Sequence, residues 1–434
     1  MLGIPTATAK NLREFRRILV SQRRTTNLDH CTRLRKTLVQ INRAFGNPWR
    51  FWQNVQRAVQ AAVLGTHRSG DAVSKRYRIG IASQFLQIFT ESARSGIGFE
   101  DFYLCQLYLR DRRSRMRQIP TSQSSPAIRS LLNRTLPVDR ELLRDKHLFG
   151  ARCREAGLPT GILVGEFADG CVDGKLENLP ATDLFSKPAR SSWGEGANLW
   201  RYDQGHDRFF NALTDQSFSR KALLNIFCDL SRVGRIIVQQ RLRNHAALSP
   251  LTNGALSTIR IVTCRTPFGS IDLMPPVIKM PTGRAVADNL HQGGIAAPID
   301  ILTGSICGPG LQTDNCLGVL WFDKHPDSGQ ELKGFSIPMW KEAADLARRA
   351  HETFPSLHFI GWDIAILDDR PVVVEGNDVP DTDLTVLPHG LTLSDTQFIP
   401  YYNHHWSNST SPIRPAAKAN ANCGDGLGSV TATL

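Results

Sequence analysis

Apolar and polar positions change their spacing along this chain. In "NPWRFWQNVQRAVQAAVL" the residues Trp49, Trp52, Val55, Val59 and Val63 recur at steps of three and four, which predicts an amphipathic helix. "GIASQFLQIFTESARSGIGFEDFYLCQLYLRDRRSRMRQ" keeps helical spacing but breaks around Gly96 and Gly98, predicting two helices with Asp101 capping the second. "PTSQSSPAIRS", near 120–130, is rich in turn formers and is expected to be a linker. After residue 136 short strand-like runs enter. "LLRDKHLFGARCREAGLPTGILVG" predicts a helix stopped at Gly157, Leu158 and Pro159, then a strand. "ATDLFSKPARSSWGEGANLWRY" predicts strand, small-residue turn, strand, and "RIIVQQRL" one more strand. "STIRIVTCRTPFG" and "IDLMPPVIKM" predict an antiparallel pair around Pro267, Phe268 and Gly269. "SIPMWKEAADLARRAHETF" predicts a helix, with Ser336 ahead of Pro338 as its start signal. "FIGWDIAILDDRPVVVEGN" predicts a final hairpin, and residues 407–434 carry too few bulky apolar side chains to pack. The pattern is that of an α+β protein behind a helical front section, with no internal repeat.

Composition narrows the classes. Of 434 residues 41% are hydrophobic and 21% charged, ordinary globular usage. No apolar run approaches the roughly 18 residues of a membrane span, and the start lacks the apolar stretch of a secretory signal. The nine cysteines form no Cys-x-x-Cys pair and no Cys/His cluster, which argues against a thiolate zinc site or a disulfide framework and for reduced thiols in the cytoplasm. The net charge of +12 is uneven: residues 1–150 hold 27 Lys and Arg against 10 Asp and Glu, the remainder 25 against 30. The basic front is either a solvated helical face or a surface for a partner protein or an anionic membrane, which would make the protein membrane-peripheral. Its arginines are dispersed and no nucleic-acid motif accompanies them, so nucleic acid is not the expected partner.

The hairpin poses the chemical question, because two carboxylates interrupt its apolar runs. With Asp368, Asp369, Arg370 and Pro371 at the turn, Asp363 falls opposite residue 375 or 376. Glu375 and Asn377 share a face beside it, while Ile360, Trp362, Ile364 and Ile366 point into a core. Two carboxylates and an amide oxygen are hard ligands of the kind that suits Mg²⁺ (or Mn²⁺), and two like charges so close need a cation or a raised pKa. A polar solvent face is the plainer alternative. "LFSKPARSSWGEGANLW" sets a lysine before a small-residue loop whose N–H groups could approach phosphate, or which is only a hairpin loop. Lys146 starts a helix; Arg260 and Lys279 alternate with apolar residues on adjacent predicted strands. In "ADNLHQGGIAAPID" His291 has no nucleophile to serve and is expected to be an ordinary loop histidine.

Taken in order, these features over about residues 136–390 resemble the ATP-grasp superfamily, in particular its sugar-transfer-associated branch related to α-L-glutamate ligases. "QQRLRNHAALSPLTNGALSTIRIVT", "GGIAAPID", "IGWDIAI" and "VVVEGN" carry the resemblance. It implies two α+β subdomains gripping ATP, at 136–238 and 239–405, after a basic helical region at 1–135 and before a disordered tail at 406–434. Lys146 and Lys187 would be the phosphate-contacting lysines, and Ser191, Ser192, Gly194 and Gly196 the flap over the phosphates. Gln239, Gln240, Arg241 and Leu242 would be the hinge whose backbone meets adenine; Gln239 and Gln240 stand where many relatives carry an acid, which puts the ribose contacts in question. Arg260 and Lys279 would act in catalysis, Arg260 neutralising the transferred phosphate or an acyl-phosphate. Asp363, Glu375 and Asn377 would be the metal ligands. Where many relatives have Pro-Gly after the Asn, this chain has Asp378, Val379, Pro380 and Asp381, a change on the acceptor side.

The implied activity is an ATP- and Mg²⁺-dependent ligase. A small-molecule carboxylate would be activated as acyl-phosphate for attack by an amine or another nucleophile, by association in polysaccharide or glycan modification. The alternatives are a phosphotransferase on the same fold, or a non-enzymatic nucleotide-binding protein docked through its basic helices.

Overall fold

The computed structural model describes residues 48–115, 137–173, 178–190, 196–283, 285, 288, 290 and 293–410. The helical front section comprises α1 (Pro48–Gly65), a π-helical turn (Thr66–Gly70), α2 (Asp71–Tyr77), α3 (Ile81–Ser95), α4 (Phe99–Leu104) and α5 (Arg110–Ser114). Two more helices follow, α6 (Pro137–Arg144) and α7 (Lys146–Glu155). A seven-stranded antiparallel sheet is built from β1 (Leu163–Ala168), β2 (Cys171–Asp173), β3 (Leu184–Pro188), β4 (Asn198–Asp203), β5 (Arg208–Asn211), β6 (Ser217–Ser219) and β7 (Ile236–Gln240), in the order β2-β1-β7-β3-β4-β5-β6. Helix α8 (Arg220–Ser231) covers it, with Leu223 and Phe227 buried against Phe167, Trp200 and Val238.

The second sheet holds β8 (Thr258–Arg265), β9 (Ile271–Leu273), β10 (Val277–Met280), β11 (Ile295–Pro298), β12 (Gly310–Asp314), β13 (Gly318–Phe322), β14 (Phe359–Ile366) and β15 (Pro371–Asn377). Its order is β13-β12-β11-β10-β8-β14-β15, with β9 paired to β8 off this path. Helices α9 (Trp340–Glu352), α10 (Thr382–Val386) and α11 (Phe398–Thr410) complete the chain. Ile278, Ile259, Trp362 and Ile364 face a core closed by Ala343, Leu346 and Ala347 of α9 and by Phe398 and Tyr402 of α11.

The opposite face of this sheet is divided. Over β10 to β13 it is apolar: Val277, Ala296, Leu311 and Val319 pack against Ile88, Phe102, Tyr103 and Leu107 of the front section. The basic helices are therefore seated on the large sheet. The seat is close: Gly318, at φ +82°, passes the Tyr103 backbone so tightly that a β-carbon there would lie 2.1 Å from the Tyr103 carbonyl oxygen. Over β10, β8, β14 and β15 the same face carries charged side chains, described below.

Several sequence expectations are corrected here. The valine stripe of α1 does not face inward: Val59 and Val63 are 41% and 51% exposed, while Ala58, Ala62 and Gly65 are buried. Small residues are needed because a β-carbon on Gly65 would stand 2.8 Å from Phe99 Cβ. Gly98, not Asp101, occupies the N-cap of α4, and Asp101 is buried within the first turn. Helix α9 starts at Trp340 behind Met339, because Ser336 is drawn into an antiparallel bridge with Ser305 and Ile337 N donates to Gly304 O. The expected tail begins too early, since α11 runs to Thr410 and Trp406 is buried. Helices α6 and α7 also join the large-sheet core: Leu143, Phe149 and Cys153 are buried there, and Phe149 stacks on Phe354. The linker around 120–130, residues 1–47 and residues 411–434 lie outside the described residues. Among the described residues every cysteine is free, and no helix is long and apolar enough to cross a membrane.

Candidate active site

Strand register assembles the charged half of the face. Lys279 on β10 pairs with Thr258 on β8, Arg260 on β8 pairs with Asp363 on β14, and Asp363 pairs with Glu375 on β15. The hairpin closes one residue earlier than the sequence suggests, with Leu367 N donating to Arg370 O and Pro371 already in β15 opposite Ile366; a bulge beside Asp363 then shifts the register so that it meets Glu375. Asp368 does more than turn: its Oδ1 accepts from Ala246 N. Because side chains alternate, Asp363 projects away from the core that buries Trp362 and Ile364.

Asp363 is held from both sides. Arg260 grips it in a fork, Nε to Oδ1 at 2.7 Å and Nη2 to Oδ2 at 3.2 Å, and Lys279 Nζ reaches Oδ2 at 3.0 Å. Burial opposes ionisation of Asp363, but the charges of Arg260 and Lys279 outweigh it and hold its carboxyl well below the usual range. Glu375 hydrogen-bonds to Asp363 and is pushed the other way, first by burial and then by the Asp363 charge. The two carboxyls therefore titrate as a coupled pair, with Asp363 the one held ionised. Lys279 also donates to Asp288 Oδ1 at 3.3 Å. Asp288 in turn accepts Thr258 N at 2.7 Å and Thr258 Oγ1 at 2.6 Å through Oδ2.

The lysines come from the other side of the cleft. Asp145 caps α7 by accepting from His147 N and Leu148 N, which sets Lys146 in the first turn. Lys146 N donates to Ala189 O just after β3, tying that turn to the strand that carries Lys187. Burial lowers the pKa of both lysines, and the charge of Glu375 partly opposes it in each. The charge of Lys146 lowers Lys187 further.

The four expected hinge residues lie at the end of β7. Gln240 N and Arg241 N are already used, donating to Ile162 O and Asp183 O. Arg241 Nη1 and Arg243 Nη2 both bind Asp183 Oδ2, at 3.0 and 2.7 Å. Among the described residues Leu242 N makes no backbone hydrogen bond, so it is the donor of this stretch open to a ligand. Gly196 has φ +72° at the end of the small-residue loop; Ser191, Ser192 and Gly194 lie outside the described residues, as does His291.

The expected metal ligands fit a hard divalent cation in chemistry. Asn377 Nδ2 donates to Gly361 O at 3.3 Å, which leaves Oδ1 as its ligand atom. A cation there would offset the repulsion between the adjacent Asp363 and Glu375 carboxylates. Among the described residues no three Asp, Glu, His or Cys side chains form a metal cage; the set is two carboxylates and one amide.

Sequence reasoning passed over two carboxylates. Asp288 sits in "ADNLHQGG" beside a more conspicuous histidine; a carboxylate among Ala, Val and Leu is the same signal that marks Asp363. Asp381 was noted only as a departure after Asn377, yet its Oδ2 lies 3.4 Å from Arg260 Nη1.

No curated protein matches this sequence significantly. Among solved structures the chain is similar to N5-carboxyaminoimidazole ribonucleotide synthetase in its ADP complex, at 9% identity and TM-score 0.34, over 60% of this chain and 52% of that one. It thus spans about half the length of that enzyme. It is also similar to D-alanine–D-alanine ligase from Bacillus anthracis complexed with ATP (11% identity, TM-score 0.35, 63% of this chain and 70% of that one). A RimK domain ATP-grasp protein from Sphaerobacter thermophilus DSM 20745 is a further neighbour (13%, 0.33, 61% and 69%). The model of the sugar-transfer associated ATP-grasp family matches residues 133–397, more than half of the chain. The chain belongs to the sugar-transfer associated ATP-grasp family.

Proposed function

We propose that the protein is an ATP- and Mg²⁺-dependent ligase that activates a carboxylate as acyl-phosphate for attack by an amine. The observation that carries this reading is the register that aligns Arg260, Asp363 and Glu375 on three adjacent strands, with Lys279 reaching Asp363 from the fourth and Lys146 and Lys187 feeling the charge of Glu375. Lys146, Lys187 and the loop ending at Gly196 would hold the phosphates, and Leu242 N the adenine. Glu375, Asn377 and Asp363 would hold the divalent cation, whose charge neutralises phosphate oxygens when bound. Arg260 and Lys279, already fixed by Asp363 and Asp288, need no reorganisation to face the charge that spreads over the transferred phosphoryl group. The chain supplies position and charge rather than a nucleophile.

The experiment is a thermal-shift titration with Mg²⁺-ATP on wild type, Lys187→Ala and Glu375→Ala. Ligand at a hundredfold excess over Kd stabilises by about 2.7 kcal/mol. The expected result is a clear shift in wild type, lost in both variants. No shift in wild type at millimolar Mg²⁺-ATP would overturn the proposal. Trapping with hydroxylamine then separates a ligase, which forms a hydroxamate, from a phosphotransferase, which does not.

A further inference from the structure

The segment after the Asn377 strand end folds back over the charged half of the sheet. Asp378 is pinned by Arg144, Nε at 2.9 Å and Nη2 at 2.7 Å to Oδ2. Pro380 then lies on Gly361, the cleft-side neighbour of Asp363; a β-carbon on Gly361 would come within 3.2 Å of Pro380 Cβ and 3.6 Å of Arg260 Cδ. This close packing delivers Asp381 beside Arg260. Asp381 differs from the other carboxylates here. Asp363 is only 3% exposed, held by Arg260 and Lys279, whereas the Asp381 side chain is 58% exposed and reaches Arg260 only at 3.4 Å. Its side chain does not cap α10; the main-chain oxygen of Asp381 does the structural work, accepting from Thr385 N and Thr385 Oγ1.

We propose that Asp381 is the acceptor-side carboxylate of this site: it binds the acceptor amine in its ammonium form and takes the proton that the amine must lose. The inference rests on the ligase reading. An amine near neutral pH is mostly protonated and carries no lone pair, so it must be drawn in as a cation and deprotonated before it attacks. A half-exposed carboxylate at hydrogen-bond range of the arginine that faces the acyl-phosphate is suited to both tasks. The step balances: the ammonium gives one proton to Asp381, which passes it to water; the amine nitrogen bonds to the acyl carbon, the acyl–oxygen bond to phosphate breaks, and phosphate leaves with that electron pair and takes up the second nitrogen proton. The acceptor class is therefore a cationic primary amine rather than a hydroxyl.

The test compares two nucleophiles on full-length protein with Mg²⁺-ATP and a panel of α-amino, α-hydroxy and hexuronic acids. Hydroxylamine is neutral near pH 7.5 and nucleophilic without help; ammonium chloride supplies the smallest cationic acceptor. In Asp381→Asn, ammonium-dependent ADP release is expected to fall about 100-fold more than hydroxamate formation, with Asp381→Glu recovering part of it. An Mg²⁺-ATP thermal shift verifies that each variant is folded. Equal losses with both nucleophiles would overturn the proposal, because Asp381 would then act only through Arg260. Ammonium-dependent turnover unchanged in Asp381→Asn would overturn it too. If wild type makes no hydroxamate with any acid, the ligase reading itself falls and takes this inference with it.

Discussion

Replacing Arg260 by Met tests the centre of the site. The guanidinium is buried, gives Asp363 two hydrogen bonds at 2.7 and 3.2 Å, and is 7% exposed against 3% for its partner. Methionine preserves bulk and removes the charge. Two charge-assisted hydrogen bonds at roughly 1.5–3 kcal/mol each set the scale, and breaking one side of a buried pair costs about 3–5 kcal/mol. Lys279 stays on Asp363 Oδ2 and keeps one cation beside the carboxylate, which places the expected loss near the lower end, about 3 kcal/mol. Equilibrium urea unfolding followed by tryptophan fluorescence reads this directly, since Trp362 precedes Asp363 and is buried. The double variant Arg260→Met, Asp363→Leu should recover much of the loss, because no unpaired charge then remains. Lys324→Met removes one partner of a pair in which both side chains are 61% exposed, and it should leave stability where it was. An Arg260→Met loss below about 1 kcal/mol, or a double variant less stable than the single one, would refute the argument that this pair is buried and saturated.

Two other outcomes follow from the packing. Gly318→Ala forces a β-carbon into the Tyr103 backbone at a positive φ, so it should cost at least about 2 kcal/mol and strip amide-exchange protection from residues 81–114 before the α9 core is affected. Acid should destabilise the fold through His351 and His358. Burial, above all, lowers each to about 3, so both are neutral in the fold and charge only on unfolding; their stabilisation is complete above pH 6.5 and is lost as pH falls from 6.5 towards 3. The slope is up to about 1.4 kcal/mol per pH unit for each histidine, and urea unfolding between pH 7.5 and 5.5 reads it. His351 Nε2 donates to Leu357 O, and Nδ1 lies 2.6 Å from Thr263 Oγ1, which also takes the Trp362 indole N–H, so the ring is fixed deep in the core where a charge is costly. His351→Asn should flatten the acid limb.

The hairpin shows how far local pattern reaches. Alternation and the Asp-Asp-Arg-Pro turn place Asp363 opposite residue 375 or 376 and send Trp362 and Ile364 to a core, because strand geometry has a fixed period; the bulge beside Asp363 that sets the pairing on Glu375 leaves no such mark. The α1 stripe shows where pattern fails. Val55, Val59 and Val63 are the apolar face by hydropathy, yet Ala58, Ala62 and Gly65 are the face that packs, since helix contact here is limited by bulk and not by greasiness. The helix start at Trp340 was hidden for a similar reason: the bridge from Ser336 to Ser305 is a partner thirty residues away.

Strand periods, the residue types of the site and the family were legible in the chain, because these depend on neighbours close along it. That Arg260 and Lys279 both hold Asp363, that Asp288 anchors Lys279 and that Asp381 stands beside Arg260 follows from the three-dimensional fold alone. So does the seating of the basic front section on the apolar half of the same sheet face. Each of these depends on which strands lie side by side, and antiparallel strands separated by tens of residues leave no periodic trace of their order in the chain.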